Sequence, residues 1–234
     1  EVNEVVFGTD GGADRQGGLA SSLRAGAVIA VTATLKPREI RELAHDLSSH
    51  DLLLVDTPVS GGRPGADSGT LTLMAAGSDA ALAAAKAPME AISNTIHRVG
   101  TGIGEGQTVK ACLQSLIGSI FTGAYEATAL AAKAGVPGQV LFDVFSTSAA
   151  GCGITNAAVG SVMARKFEDT GSHINTMHKD LTISLDLAME LGVPLFTAST
   201  AMQMFQAGRT RHPDGDNQVV AKISEEIIGT GLKA

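Results

Sequence analysis

The 234-residue chain has no tryptophan, one tyrosine and only two cysteines, Cys112 and Cys152. Two cysteines make no disulfide framework, which points to a reducing compartment and a cytoplasmic protein. With aromatics at 3% and 28 glycines, the core must be packed on small and aliphatic side chains. No run reaches the ~18 uninterrupted apolar residues that a membrane helix needs, and no basic-then-apolar start marks a secretion signal. Basic charge is in short supply: 17 Lys and Arg against 24 Asp and Glu leave a net charge of −7. That balance argues against a nucleic-acid backbone or an anionic membrane as partner. The six histidines lack ligand spacing, since His45 and His50, like His173 and His178, are five apart where a helical zinc pair needs a separation of about four. No metal is expected. An initiating methionine is also lacking, and the chain opens at Glu1 in mid-pattern.

What is present is a soluble globular composition, 44% hydrophobic and 18% charged, long enough for one large domain or two modest ones. Short apolar runs at Ala27–Val31, Leu52–Val55, Leu71–Ala75 and Ile96–Val99 read as buried strands. Helical patterns separate them: Glu1–Phe7, a turn within Gly17–Arg24, Pro37 to about Ser49, and Asp79 to Ile92, with a loop over Gly8–Gly12. This alternation predicts a Rossmann-type doubly wound α/β sheet, present in part, over residues 1–104. From Glu105 on the strand signals vanish. Helices are expected at Thr108–Ala134, Gln139–Ser146, Thr155–Arg165, Ser172–Leu191, Thr197–Ala207 and Val219–Ile228. Gly135-Val-Pro137 and Gly192-Val-Pro194 are helix stops, and residues 105–234 form an all-α bundle domain.

The stretch that organises the chain is Asp56-Thr-Pro-Val-Ser-Gly-Gly62, continued by Gly65-Ala-Asp-Ser-Gly-Thr-Leu-Thr72. It follows an apolar strand. Pro58 removes a donor and two glycines permit a turn. The Gly61 and Gly62 N–H groups with the Ser60 hydroxyl could converge on a carboxylate, although the residues alone leave an ordinary strand-ending turn equally open. The long motif resembles the substrate-binding signature of the 3-hydroxyacid dehydrogenase family, which includes 3-hydroxyisobutyrate dehydrogenase, tartronate semialdehyde reductase and the L-threonate dehydrogenases.

That resemblance implies NAD(P)-dependent hydride transfer to or from a 3-hydroxy acid or its semialdehyde. Ser60, Gly61 and Gly62 then bind the substrate carboxylate. Gly106-Gln-Thr-Val-Lys-Ala-Cys-Leu-Gln114 resembles the family's catalytic-lysine segment, making Lys110 the general acid/base and Gln114, one turn on, a substrate residue. Apolar or small neighbours at Val109, Ala111, Leu113 and Leu116 would part-bury Lys110 and lower its pKa; on the residues alone, a snorkelling surface lysine remains the alternative. Gln114 in place of asparagine, with Leu195–Thr200, is similar to the threonate-type branch and points to four-carbon sugar acids. Lys179-Asp-Leu181 resembles a segment near the nicotinamide, so Lys179 is a binding residue and Asp180 its structural neighbour. Thr34, in Thr32-Ala-Thr-Leu-Lys-Pro37, resembles a loop contact to the nicotinamide ribose. The family further implies a homodimer or homotetramer through the helical domain.

Other candidates are weaker. Gly100-Thr-Gly-Ile-Gly-Glu-Gly106 fails the dinucleotide pattern, because Glu105 or Gln107 stands where its third glycine belongs. It reads as a joint between domains near Gly104. The fingerprint of such an enzyme is expected upstream of Glu1. A non-catalytic sugar-acid binding remnant of the family therefore stands as the alternative. Cys152 reads as a small packed residue, and Asp214 with Asp216 as a polar turn.

Overall fold

The computed structural model describes residues 1–8 and 17–233, and the loop expected over Gly8–Gly12 lies outside them from Thr9 on. The chain divides into two compact units, residues 1–110 and 111–234, where the sequence set a joint near Gly104.

In the first unit, α1 (Val2–Phe7) and α2 (Leu19–Ser22) lead to β1 (Val28–Val31). Next comes α3 (Pro37–Ser48), with Pro37 in its first turn, where a missing N–H costs no helical bond. The Glu39 carboxylate accepts the Lys36 N–H at 3.0 Å and closes that end. β2 (Leu53–Asp56) pairs in parallel with β1, from Val28 opposite Leu53 to Val31 opposite Asp56.

Beyond β2 the structure departs from expectation. The two glycines turn the chain as expected, but the segment before them is an unforeseen strand. The motif stays extended through β3 (Val59–Ser60) and runs antiparallel to β4 (Leu71–Ala76) in one register: Asp56 opposite Ala76, Val59 opposite Leu73, Ser60 opposite Thr72. Proline lacks only the donor, and here the ladder uses its carbonyl, which accepts the Met74 N–H at 3.1 Å. The turn comes at Gly61, whose φ of +128° no side-chain-bearing residue readily adopts. It opens α4 (Gly62–Asp67), a helix that Gly62-Arg-Pro-Gly65 conceals by its poor helix formers.

After β4, α5 (Asp79–Ile92) is capped by Ser78, whose hydroxyl accepts the Ala81 N–H. It leads straight into β5 (Ser93–Gly100), parallel to β4 and longer than the apolar run suggested. The sheet is therefore mixed. It is still covered on both faces: Ile29, Val31 and Leu54 pack with Ile40, Leu43 and Leu47 of α3, while Val55, Leu71 and Leu73 pack with Ala81, Ala85 and Met89 of α5.

The second unit is helical. α6 (Glu105–Ala134) starts in the first unit and continues into it. It is followed by α7 (Gly138–Thr147), α8 (Gly153–Met163), α9 (Ile174–Leu191), α10 (Phe196–Arg211) and α11 (Val219–Ile228). Tyr125, Val159, Ile174, Leu181 and Phe205 form its fully buried centre. The polar turn holds for Asp214, which is exposed in a turn, but not for Asp216. Asp216 is buried, bridges to His173, and accepts hydrogen bonds from the Thr170 N–H and hydroxyl at 2.5 and 2.6 Å. Among the described residues no strand follows Gly100.

Candidate active site

In an open α/β sheet, ligands gather outside the carboxyl ends of the strands. β1 and β2 are parallel neighbours, so the Thr32–Lys36 loop and the continuation of β2 into Thr57–Gly62, which pairs on with β4, start from the same end of that pair. Thr34 and Ser60 are half-buried there, while Gly61 and Gly62 are exposed.

The first turn of α6 is fastened to that same end. Asp56 Oδ2, at the end of β2, accepts the N–H of Gly104 at 2.9 Å and of Gln107 at 3.2 Å. It thereby caps helix donors that have no partner within the helix. Asp56 is fully buried. Burial pushes its carboxyl above the usual range, against the lowering effect of the Gln107, Gly104 and Gly106 N–H groups. Gly106 permits the approach: a Cβ there would sit 2.6 Å from the Met74 carbonyl and 2.8 Å from that of Asp56. The Gln107 side chain then reaches the β1 loop, accepting the Leu35 N–H and donating to the Ala33 carbonyl, both at 3.0 Å.

Lys110 lies one turn further on and is 6% exposed. Its burial does not arise as the sequence suggested, for Val109 and Leu116 are themselves 39% and 59% exposed. Over the first turns of α6 the buried side is largely polar, carrying Gln107, Lys110 and Gln114 beside Ala111, while Val109, Cys112 and Leu116 face outward.

In the second unit the structure brings Gln114, Asp180 and Lys179 together. Gln114 Nε2 donates to Asp180 Oδ2 at 2.5 Å. Lys179 Nζ lies 3.0 Å from Asp180 Oδ1, with the lysine side chain half exposed and the carboxylate 3% exposed. Oδ1 lacks an aligned hydrogen bond, so this second contact is an ion pair alone. A carboxylate only accepts, so the Gln114 amide must turn its NH₂ toward Asp180. Its carbonyl oxygen is thereby presented as an acceptor. Sequence reasoning gave no role to Asp56 or Gln107 and cast Asp180 only as a neighbour. A polar residue closing an apolar strand, and a glutamine one turn before the lysine, were the signals available.

Cys152 is exposed, not packed. It begins α8, with its sulfur near the Thr155 N–H and hydroxyl, contacts that pull its thiol below the ordinary value. Among the described residues no three His, Cys, Asp or Glu side chains converge as a metal site, and no helix is long and apolar enough to cross a membrane.

A two-faced α/β unit whose strand ends are tied to a lysine-bearing helix, followed by a helical unit, is a Rossmann-type domain joined to an all-α domain. Two family models match in succession: the NAD-binding domain of 6-phosphogluconate dehydrogenase over residues 2–101, and the NAD-binding domain of NADP-dependent 3-hydroxyisobutyrate dehydrogenase over residues 104–224. The L-threonate dehydrogenase of Escherichia coli K12 is 35% identical over the whole chain, which spans 75% of that protein. The L-threonate dehydrogenase of Pectobacterium atrosepticum is 34% identical over 97% of the chain and 72% of its own length. The crystal structure of 3-hydroxyisobutyrate dehydrogenase from Salmonella typhimurium superposes with a TM-score of 0.85 at 32% identity, covering 95% of this chain and 75% of that one. A Mycobacterium tuberculosis 3-hydroxyisobutyrate dehydrogenase structure with L-serine gives 0.79 at 26% identity, over 87% and 72%.

The chain belongs to the 3-hydroxyacid dehydrogenase family, that of 3-hydroxyisobutyrate dehydrogenase. It is by class an NAD(P)-dependent oxidoreductase acting on small hydroxy acids.

Proposed function

We propose that the enzyme oxidises a four-carbon sugar acid of the L-threonate kind at its 3-hydroxyl, with Lys110 as the general acid/base. The observation that carries this reading is the buried polar side of the first turns of α6, on which Lys110 follows a turn tied to the β1 loop and to Asp56 at the end of β2. The preference for L-threonate is supported by 35% identity to an enzyme of that name across the entire chain. The neighbour crystallised with L-serine, itself a 3-hydroxy acid, supports the broader substrate class.

The residues at the β1 and β2 ends fit a nicotinamide in one respect. Buried polar atoms without protein partners, Asp56 Oδ1 and Thr57 Oγ1, mark this edge as one built around polar groups. Thr34 and Lys179 are the proposed cofactor-binding residues. When bound, NAD or NADP supplies the hydride acceptor. Ser60 with the Gly61 and Gly62 N–H groups holds the substrate carboxylate. Lys110 Nζ takes the hydroxyl proton as the carbonyl forms and returns it in the reverse direction. Gln114, its amide orientation fixed by Asp180, accepts from a substrate hydroxyl through its carbonyl oxygen. Lys179, paired with Asp180, adds positive charge beside the anion, which an enzyme of net charge −7 must supply locally. We further propose that it works in the cytoplasm as a homodimer or homotetramer.

The test is NAD(P)-dependent oxidation of L-threonate by the full-length protein and by Lys110→Ala. The expected loss in kcat is on the order of 10²-fold or more. Turnover within a few-fold of the parent would end the assignment of Lys110. Binding of sugar acids without any turnover would favour a non-catalytic member of the family.

A further inference from the structure

We infer that Gln107 is a positioning residue, clamping the Thr34 loop to the helix that carries Lys110 so that the two are placed as one piece. The inference rests on the reading above, in which Thr34 meets the cofactor and Lys110 moves the proton.

The geometry is specific. The Gln107 amide accepts from the Leu35 N–H and donates to the Ala33 carbonyl, both at 3.0 Å. Those two groups flank Thr34, so the side chain bonds the loop as an adjacent strand residue would, although Gln107 lies more than seventy residues away in sequence. Its own backbone N–H is held by Asp56, and Asp56 pairs with Val31, the last residue of β1. The bonds close a ring: β1, its loop, Gln107, Asp56 and back to β1. Lys110 follows three residues later, about 4.5 Å along the helix axis. Loops leaving a strand end are ordinarily among the least fixed parts of a fold. Here a fully buried amide satisfies both backbone groups around the proposed contact. Packing alone would be served by leucine or methionine without desolvating an amide.

Gln107→Met keeps the length and removes both bonds; Gln107→Glu keeps an acceptor for Leu35 but sets oxygen against the Ala33 carbonyl. In the full-length enzyme, below its melting temperature, Gln107→Met should raise the Kd for NAD(P) about tenfold or more, with KM for the hydroxy acid near that of the parent. Hydrogen exchange at the Leu35 amide should quicken, with the β1 and β2 amides unchanged. Gln107→Glu should fall between, and it carries the test if the methionine variant does not fold. Unchanged cofactor Kd, or equal rises for cofactor and hydroxy acid, overturns the inference. Failure of the catalytic reading is told apart by Lys110→Ala and by the exchange data. If Lys110→Ala keeps parental turnover, that reading falls. Faster Leu35 exchange in Gln107→Met still upholds the clamp, and unchanged exchange overturns it.

Discussion

Asp56 shows how one residue can serve two accounts. It opens the motif that identifies the family, yet its carboxylate is spent on the first turn of α6. Burial outweighs the three N–H groups that favour its charge, so its pKa lies above the ordinary 3.8. A carboxyl raised in the folded state helps the fold fully only below its unfolded pKa, and that help is lost as pH rises through the folded value. Asparagine keeps an acceptor oxygen and sheds the charge. Asp56→Asn should therefore resist urea better than the parent at pH 7, with the gain shrinking toward zero below about pH 4. Equal shifts in the midpoint at both pH values would show that charge is not what Asp56 contributes. The burial of Lys110 was legible, but not for the physical reason the sequence suggested. Val109 and Leu116 lie on the exposed side of the helix, while Lys110 shares its buried side with Gln107, Ala111 and Gln114. Sequence periodicity finds apolar stripes, so a helix that buries polar groups runs against it.

At the scale of elements, boundaries were legible where local chemistry writes them. Ser78 before α5 and Gly229 after α11 mark ends that the pattern placed at Asp79 and Ile228. The β3 and α4 pieces were not legible. Strand pairing beyond Pro58 is decided by a partner at residues 72–74, and glycine and proline conceal α4. Strand direction, parallel for β5 and antiparallel for β3, is likewise set by non-local pairing. Within α6 the glycines differ in the room around them. A Cβ on Gly118 would stand 2.8 Å from Leu181 Cδ2, on a fully buried side chain with no room to withdraw, whereas one on Gly123 would meet nothing within 4 Å. Gly118→Ala should thus cost about 1–3 kcal/mol through overpacking. Gly123→Ala should gain roughly 0.5–1 kcal/mol from the lower helix entropy cost. Thermal unfolding of the two variants checks both signs, and a stabilised Gly118→Ala would show that α6 and α9 are less tightly apposed than the structure has them.

For the whole molecule, the partition of apolar surface carries the last prediction. The helical unit leaves Met189, Leu191, Val193 and Phe196 between half and four-fifths exposed around the turn from α9 to α10. Two of them, Met189 and Val193, line a cavity of about 460 Å³ together with Leu185, Leu195 and Met202. A large apolar patch on a protein surface often marks an interaction site. The segment lies in the domain through which the family resemblance implies self-association, and a second copy of the chain is the occupant it supports. Symmetry makes such a contact self-complementary, so a single substitution acts twice in each dimer. Phe196→Asp buries two carboxylates for every interface formed, a cost several-fold above that of losing the ring contacts alone. Light scattering should give the parent as a dimer or tetramer and the variant as a lighter species, with its cofactor affinity retained because the proposed cofactor residues lie elsewhere. A variant of parental mass would move the interface off this surface and leave the exposed phenylalanine to another partner.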